Sequence, residues 1–187
     1  MAIVQKGLTL EEFLALPEQK PALEYEKGVV IRKVSPKKRH SRLQTGLAKL
    51  FDRFGEPERL YATFTELRTA YGGRSYVPDL CVYGWERVAV DDNGEVVDGV
   101  ATDPPDVAVE IVSPEQSVNF LVRKCLWYLQ NGAKAALLVD PADESVLLFW
   151  PGQPGLALSG EEEIDLAQVL PGFRVSVSDL FSALRFR

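Results

Sequence analysis

The sequence predicts an α/β fold in which a mixed β-sheet is flanked by helices, with a helix and a hairpin at its N-terminal end. Three observations predict it. Residues 106–112 (DVAVEIV) form a nearly continuous apolar run, the pattern of a strand covered on both faces. A helix signal follows directly: Ser113 stands at the N-cap, Pro114 at the first helical position and Gln116 three residues after the cap, and Asn131-Gly132 supplies the stop. Residues 135–139 (AALLV) and 145–150 (SVLLFW) then read as further strands, separated by the turn-like stretch Asp140–Glu144.

The remaining elements fall into place along the chain. Thr9 and Glu12 make a capping-box pattern that opens a short helix, and Pro17 closes it. Residues 22–26 and 29–34 read as two strands around a Lys27-Gly28 turn. From His40 to Phe54, apolar residues recur at three and four (Leu43, Leu47, Leu50, Phe51, Phe54), which fits an amphipathic helix ended by Gly55 and Pro57. Residues 59–70 and 76–83 read as strands. The polar stretch 84–105 reads as a long excursion carrying a small hairpin at Asn93-Gly94. A Gly/Pro loop (151–155), an acidic loop and a short terminal segment follow. No internal repeat or break in composition divides the 187 residues, so one domain spanning 1–187 is expected.

Composition narrows the function classes. No apolar run approaches the ~18–20 residues of a membrane span, and the first residues lack the apolar stretch of a signal peptide. Cys81 and Cys125 stand 44 residues apart with no C-x-x-C, which fits a reduced, cytoplasmic protein better than a disulfide framework or a zinc site. The net charge of −6 argues against a nucleic-acid partner only if the charge is evenly spread, and it is not. Segments 86–106 and 161–165 hold 11 acidic residues and one Arg, which leaves 16 acids against 20 bases elsewhere. Residues 32–42 carry six bases and no acid. The phosphate-binding, dinucleotide-binding and H-E-x-x-H motifs are absent, and no G-x-S-x-G elbow supports a Ser-His-Asp triad.

Two carboxylates sit inside apolar strands: Asp79 in YVPDLCVY and Glu110 in VAVEIV. An ionised carboxylate taken out of water costs several kcal/mol unless it is paired or bound to a cation. Two together repel, so a proton or a metal must neutralise them. On adjacent strands, Asp79 and Glu110 make a hard oxygen site suited to Mg²⁺ or Mn²⁺. Lys124 lies at the edge of the apolar stripe of the helix expected over 115–131 (Val118, Leu121, Val122, Cys125, Tyr128, Leu129). From there its stem can run along the core and carry the ammonium toward the end of the preceding strand.

These residues carry a resemblance. Pro78-Asp79, followed by Glu110 in an apolar strand with a helix behind it, resembles the PD-(D/E)XK nuclease pattern. The chain as a whole is similar to the Uma-type restriction endonuclease family of that superfamily, from LTLEEFLALP (8–17) and Glu24…Gly28 through VPDLCV, PDVAVEIVSP (105–114), Lys124…Tyr128…Gly132 and LVDP (138–141) to LPGF (170–173). The resemblance implies a restriction-endonuclease-like core and metal-assisted hydrolysis of a DNA phosphodiester. It implies Asp79 and Glu110 as metal carboxylates, the Ile111 carbonyl as a further ligand, and Glu24 as the family's early acidic position. In E-x-K the Lys stands two residues after the Glu, where this chain has Val112. The family's lysine on the following helix matches Lys124, which would orient the attacking water and stabilise charge on the phosphate. Lys37, Lys38, Arg39, His40 and Arg42, at the start of the first long helix, become candidates for DNA-backbone contacts. A homodimer or higher homo-oligomer is expected, because cutting two strands favours two sites. The alternative is a nucleic-acid-binding or regulatory protein whose active site is degenerate. A small-molecule phosphoester hydrolase or an interaction protein is a more distant rival, favoured by the acidic excursion 84–105.

Overall fold

The computed structural model describes residues 2–114 and 116–187. The chain runs β1 (Ala2–Lys6), α1 (Leu10–Leu14), β2 (Leu23–Glu26), β3 (Val29–Arg32), α2 (Lys38–Gly55), β4 (Tyr61–Thr65), β5 (Thr69–Tyr71), β6 (Arg74–Tyr76), β7 (Leu80–Gly84), β8 (Val107–Ile111), α3 (Val118–Gln130), β9 (Ala135–Asp140), β10 (Ser145–Phe149), β11 (Leu156–Ser159), β12 (Glu163–Asp165), β13 (Arg174–Ser176) and α4 (Val177–Ser182). Among the described residues no helix is long and apolar enough to cross a membrane.

Two sheets position the site. The smaller one, in the order β1-β3-β2-β6-β5, is antiparallel throughout. Its β2–β3 hairpin turns at Lys27 (φ 49°) and Gly28 (φ 82°), the two positive φ values that a type I′ turn needs. The larger sheet, β11-β10-β9-β8-β7-β4, is mixed: β8 and β9 are parallel and its other pairs antiparallel. Helices cover both of its faces, because strand side chains alternate. Val107, Val109 and Ile111 of β8 pack with Leu43, Leu47 and Phe51 of α2. On the other side, Ala136, Leu138 and Val112 pack with Leu121 and Cys125 of α3. Both cysteines are free and buried.

Several expected boundaries move. The helix expected from Pro114 begins only at Val118, because the side chain of Gln116 turns back to accept from the Ser113 N–H (3.0 Å) and the Gln116 N–H donates to the Ser113 carbonyl (2.9 Å). A closed turn stands where the helix start was expected, and Ser117 is the N-cap. Glu115 lies outside the described residues. The strand expected at 59–70 divides into β4 and β5, and that at 76–83 is broken at Val77–Asp79. That break carries the chain from the small sheet into the large one. α2 extends to Gly55, where a Cβ would lie 2.4–2.6 Å from Tyr61, so the helix can meet β4 this closely only with glycine. Strand β1, the short strands β11–β13 and helix α4 were not expected from the sequence.

Candidate active site at the junction of the two sheets

β7 and β8 pair antiparallel with Leu80 opposite Val109, so one step outward places Asp79 opposite Glu110 on the same face of the sheet. That face is covered by α3. Its buried stripe is rotated from the expected one: Val118 is exposed, and Lys124, Trp127 and Tyr128 are buried with Leu121 and Cys125. Lys124 is therefore a core residue, 2% exposed, with its ammonium aimed at the strands. Glu24 arrives from the small sheet. Its neighbours Leu23 and Tyr25 pack with Phe13 of α1, and alternation turns Glu24 the other way, toward the junction.

The result is a buried charge network. Lys124 Nζ donates to Glu110 Oε1 (2.7 Å) and Glu24 Oε1 (2.8 Å), and it lies 4.9 Å from the Tyr76 ring centroid. The Tyr128 hydroxyl donates to Glu110 Oε1 at 2.7 Å, and the Val77 N–H donates to Glu24 Oε1 at 3.0 Å. Asp79 has partners of its own: Lys33 Nζ at 2.6 Å and His40 Nε2 at 3.2 Å on Oδ1, and the Ile111 N–H at 2.7 Å on Oδ2. Since a carboxylate only accepts, His40 Nε2 carries a proton, and Nδ1 meets Ser113 Oγ at 3.0 Å. The order Ser113–His40–Asp79 repeats the wiring of an acyl-transfer triad, but Ser113 is 1% exposed and braces the imidazole.

Three buried carboxylates thus face two ammonium groups. Burial pushes Glu110 up, only partly countered by Lys124, with Asp79 adding to the rise. Burial also pushes Asp79 up, but Lys33 and His40 outweigh it and hold that carboxyl well below the usual range. For both lysines burial works against the charge, and the carboxylates (Asp79 and Glu110 at Lys33, Glu110 and Glu24 at Lys124) more than restore it. Groups whose folded pKa is raised hold their protons after the unfolded chain has lost them. The two lysines' own contribution to stability is therefore expected to be intact below pH ~10.5 and to be lost above it, by about 1.4 kcal/mol per pH unit for each retained proton. This comes on top of the earlier alkaline loss from the buried Cys81 and Cys125 thiols, which burial also pushes up. Urea unfolding at pH 9, 10 and 11 checks this, and a flat profile contradicts it.

Of the remaining candidates, Lys37, Lys38, Arg39 and His40 line a groove of about 650 Å³ beside the network, with Ser113 and Gln116 among others, and Arg42 lines a separate hollow with Arg185 and Phe186. His40 differs from its neighbours in the basic run: it is 5% exposed and turned inward, and it braces Asp79. Arg39 donates to the Pro141 carbonyl (2.6 Å), and Arg42 donates to the Ala183 carbonyl (2.7 Å) and stacks on Phe186. Sequence reasoning passed over Lys33, Tyr128 and Ser113 as site residues. A second cleft, of about 1170 Å³, has Lys33, Glu66, Arg68 and Val77 in its wall.

The donor set fits a divalent cation. Glu110 Oε2 is buried and has no hydrogen-bond partner among the described residues, and Asp79 faces it across the strand pair. No group of three or more His, Cys, Asp or Glu side chains is gathered as a metal cluster among the described residues. Mg²⁺ accepts such sparse protein ligation, one or two carboxylates with water and phosphate completing the shell.

Comparison with known proteins bears on this arrangement. The model of a family described as Uma2, putative restriction endonuclease, matches residues 10–178. The crystal structure of a putative nuclease belonging to DUF820 from Anabaena variabilis ATCC 29413 superposes with a TM-score of 0.90 at 33% identity, over 95% of this chain and 99% of that one. A cryo-EM structure of a DrdV–DNA complex aligns with a TM-score of 0.36 at 12% identity over 75% of this chain and 11% of that one, a likeness too slight to carry an argument. No curated protein matches the chain.

Proposed function

This chain belongs to the Uma2 family of putative restriction endonucleases, and we propose that it is a metal-dependent endonuclease hydrolysing DNA phosphodiester bonds. The observation that carries the reading is the buried Glu110 Oε2, unpartnered among the described residues and opposite Asp79, in a network of three carboxylates and two ammonium groups. Asp79 and Glu110 would hold Mg²⁺ or Mn²⁺. Bound there, such a cation supplies Lewis-acid polarisation of the phosphate and a lowered pKa for water.

The protein's own residues do the rest. Lys124 and Tyr128 fix Glu110 through Oε1 and so leave Oε2 available. His40, on Oδ1, and the Ile111 N–H, on Oδ2, orient Asp79. Glu24 and Glu110 between them hold the Lys124 ammonium beside the carboxylate site, where its charge favours an incoming phosphate. Lys37, Lys38 and Arg39, along the neighbouring groove, are suited to the DNA backbone, with Arg42 in the adjoining hollow that Lys38 and Arg39 also line. Such contacts give salt-dependent, largely sequence-independent affinity. In this reading residues 1–187 act as one domain, and two copies or more assemble to cut both strands.

Supercoiled plasmid incubated with the protein is expected to be nicked and linearised with Mg²⁺ or Mn²⁺ and left intact with EDTA. The rival reading, a DNA-binding or regulatory protein with a degenerate site, is favoured by Val112 at the usual lysine position and by the lack of a third clustered metal-ligand side chain among the described residues. DNA bound without cleavage under either metal is the result that selects it.

A further inference from the structure

We propose that Lys33 is a catalytic residue of this site: its ammonium guards Asp79 until a divalent cation takes that carboxylate, and then turns to the phosphate in the adjoining cleft. The inference rests on the nuclease reading and reassigns within it the lysine that substrate meets.

The two site lysines differ in what surrounds them. Lys124 is clamped between Glu110 and Glu24 at 2.7 and 2.8 Å, capped by the Tyr76 ring and 2% exposed. It has no route to a substrate that leaves both carboxylates paired. Among the described residues Lys33 has one short ionic contact, Asp79 at 2.6 Å, and a longer one, Glu66 Oε1 at 4.0 Å. Glu66 is 46% exposed, so the second contact points outward. Of the network's charged groups, Lys33 is the one that also belongs to the wall of the 1170 Å³ cleft, beside Thr65, Glu66, Arg68 and Val77.

Its backbone is fixed while its side chain has a choice. The Lys33 N–H donates to the Ala22 carbonyl at 2.9 Å, which extends the β2–β3 pairing, and Val34, Ser35 and Pro36 continue along the same cleft. An ammonium on a four-carbon stem anchored there can exchange Asp79 for an anion in the cleft without moving the fold. The charge count favours that exchange. With a divalent cation held by Asp79 and Glu110, the Lys33 ammonium would be repelled from Asp79, and an incoming phosphodiester would supply the anion it needs.

The test compares wild type, Lys33→Met and Lys33→Arg, with Mn²⁺ binding read by titration calorimetry and plasmid nicking read at saturating Mn²⁺. Lys33→Met keeps the stem and removes the competitor. It is expected to bind Mn²⁺ about threefold to tenfold more tightly, yet to nick on the order of 100-fold more slowly. Lys33→Arg keeps the ion pair and guards against a folding failure; its forked grip on Asp79 predicts weaker Mn²⁺ binding than wild type. Unchanged or weaker Mn²⁺ binding by Lys33→Met, unchanged or tighter binding by Lys33→Arg, or wild-type nicking by Lys33→Met overturns the proposal. If wild type binds Mn²⁺ and cuts nothing, the nuclease reading and the phosphate contact fall together, and the titration alone upholds or overturns the exchange at Asp79.

Discussion

Replacing Lys124 by Met is expected to cost about 3–5 kcal/mol of stability, a large part of the ~5–15 kcal/mol that holds a domain of this size folded. The side chain loses little volume, so the loss is electrostatic. Glu24 and Glu110, each 1% exposed, keep their burial and lose their shared cation. Glu110 then has the Tyr128 hydroxyl alone on Oε1, and Glu24 has the Val77 N–H. Each must bind a proton or bring in water to stay inside. Glu110→Gln in the Lys124→Met background is expected to recover part of the loss, because it removes one of the stranded charges. Urea unfolding of the two single variants and the double variant gives the coupling directly. Additive losses contradict the network.

On the nuclease reading, Asp79→Asn and Glu110→Gln are expected to act on chemistry more than on folding. Each keeps the shape of the side chain and part of its hydrogen bonding, and each removes a charge from a hard oxygen ligand. A cation site of two protein carboxylates that is left with one loses several kcal/mol of its hold on the transition state, about 10³-fold or more in rate. The two variants differ in stability. Asp79→Asn removes the charge partner of the Lys33 ammonium, whose other ion-pair contact among the described residues is Glu66 at 4.0 Å. Glu110→Gln leaves Lys124 its bond to Glu24 and is the milder lesion. Near-UV circular dichroism of both variants separates lost chemistry from lost fold.

Much of the site was legible because the chain sets charge in an apolar context. Asp79 and Glu110 interrupt strands that otherwise alternate or run apolar, and Lys124 interrupts a helical stripe, so each asks for a partner. The structure brings those partners together. Glu24 was reachable only through the family pattern, since LEYE on its own reads as an ordinary hairpin strand. Lys33 was hidden by its neighbours: in a run of six bases it looks like surface. Its inward turn depends on register, for Glu24 pairs with Ile31, and the residue two beyond Ile31 on the same face is Lys33. His40 carried a weaker signal, three residues before Leu43 and seven before Leu47 on the buried face of α2. The start of α3 misled because Ser113 and Gln116 satisfy a capping pattern and a closed turn equally well, and the structure uses the turn. The short strands β11–β13 have little apolar patterning of their own, and β11 buries only Leu158. Pairing partners far along the chain define them.

The central claim is that Asp79 and Glu110 form the cation site of a nuclease. Its most direct measurement is the initial rate of supercoiled-plasmid nicking in Mg²⁺ and in Mn²⁺ for wild type, Asp79→Asn and Glu110→Gln, each first verified as folded. The predicted result is metal-dependent nicking by wild type and a loss of about 10³-fold or more in both variants. Metal-dependent nicking that survives both substitutions would contradict it.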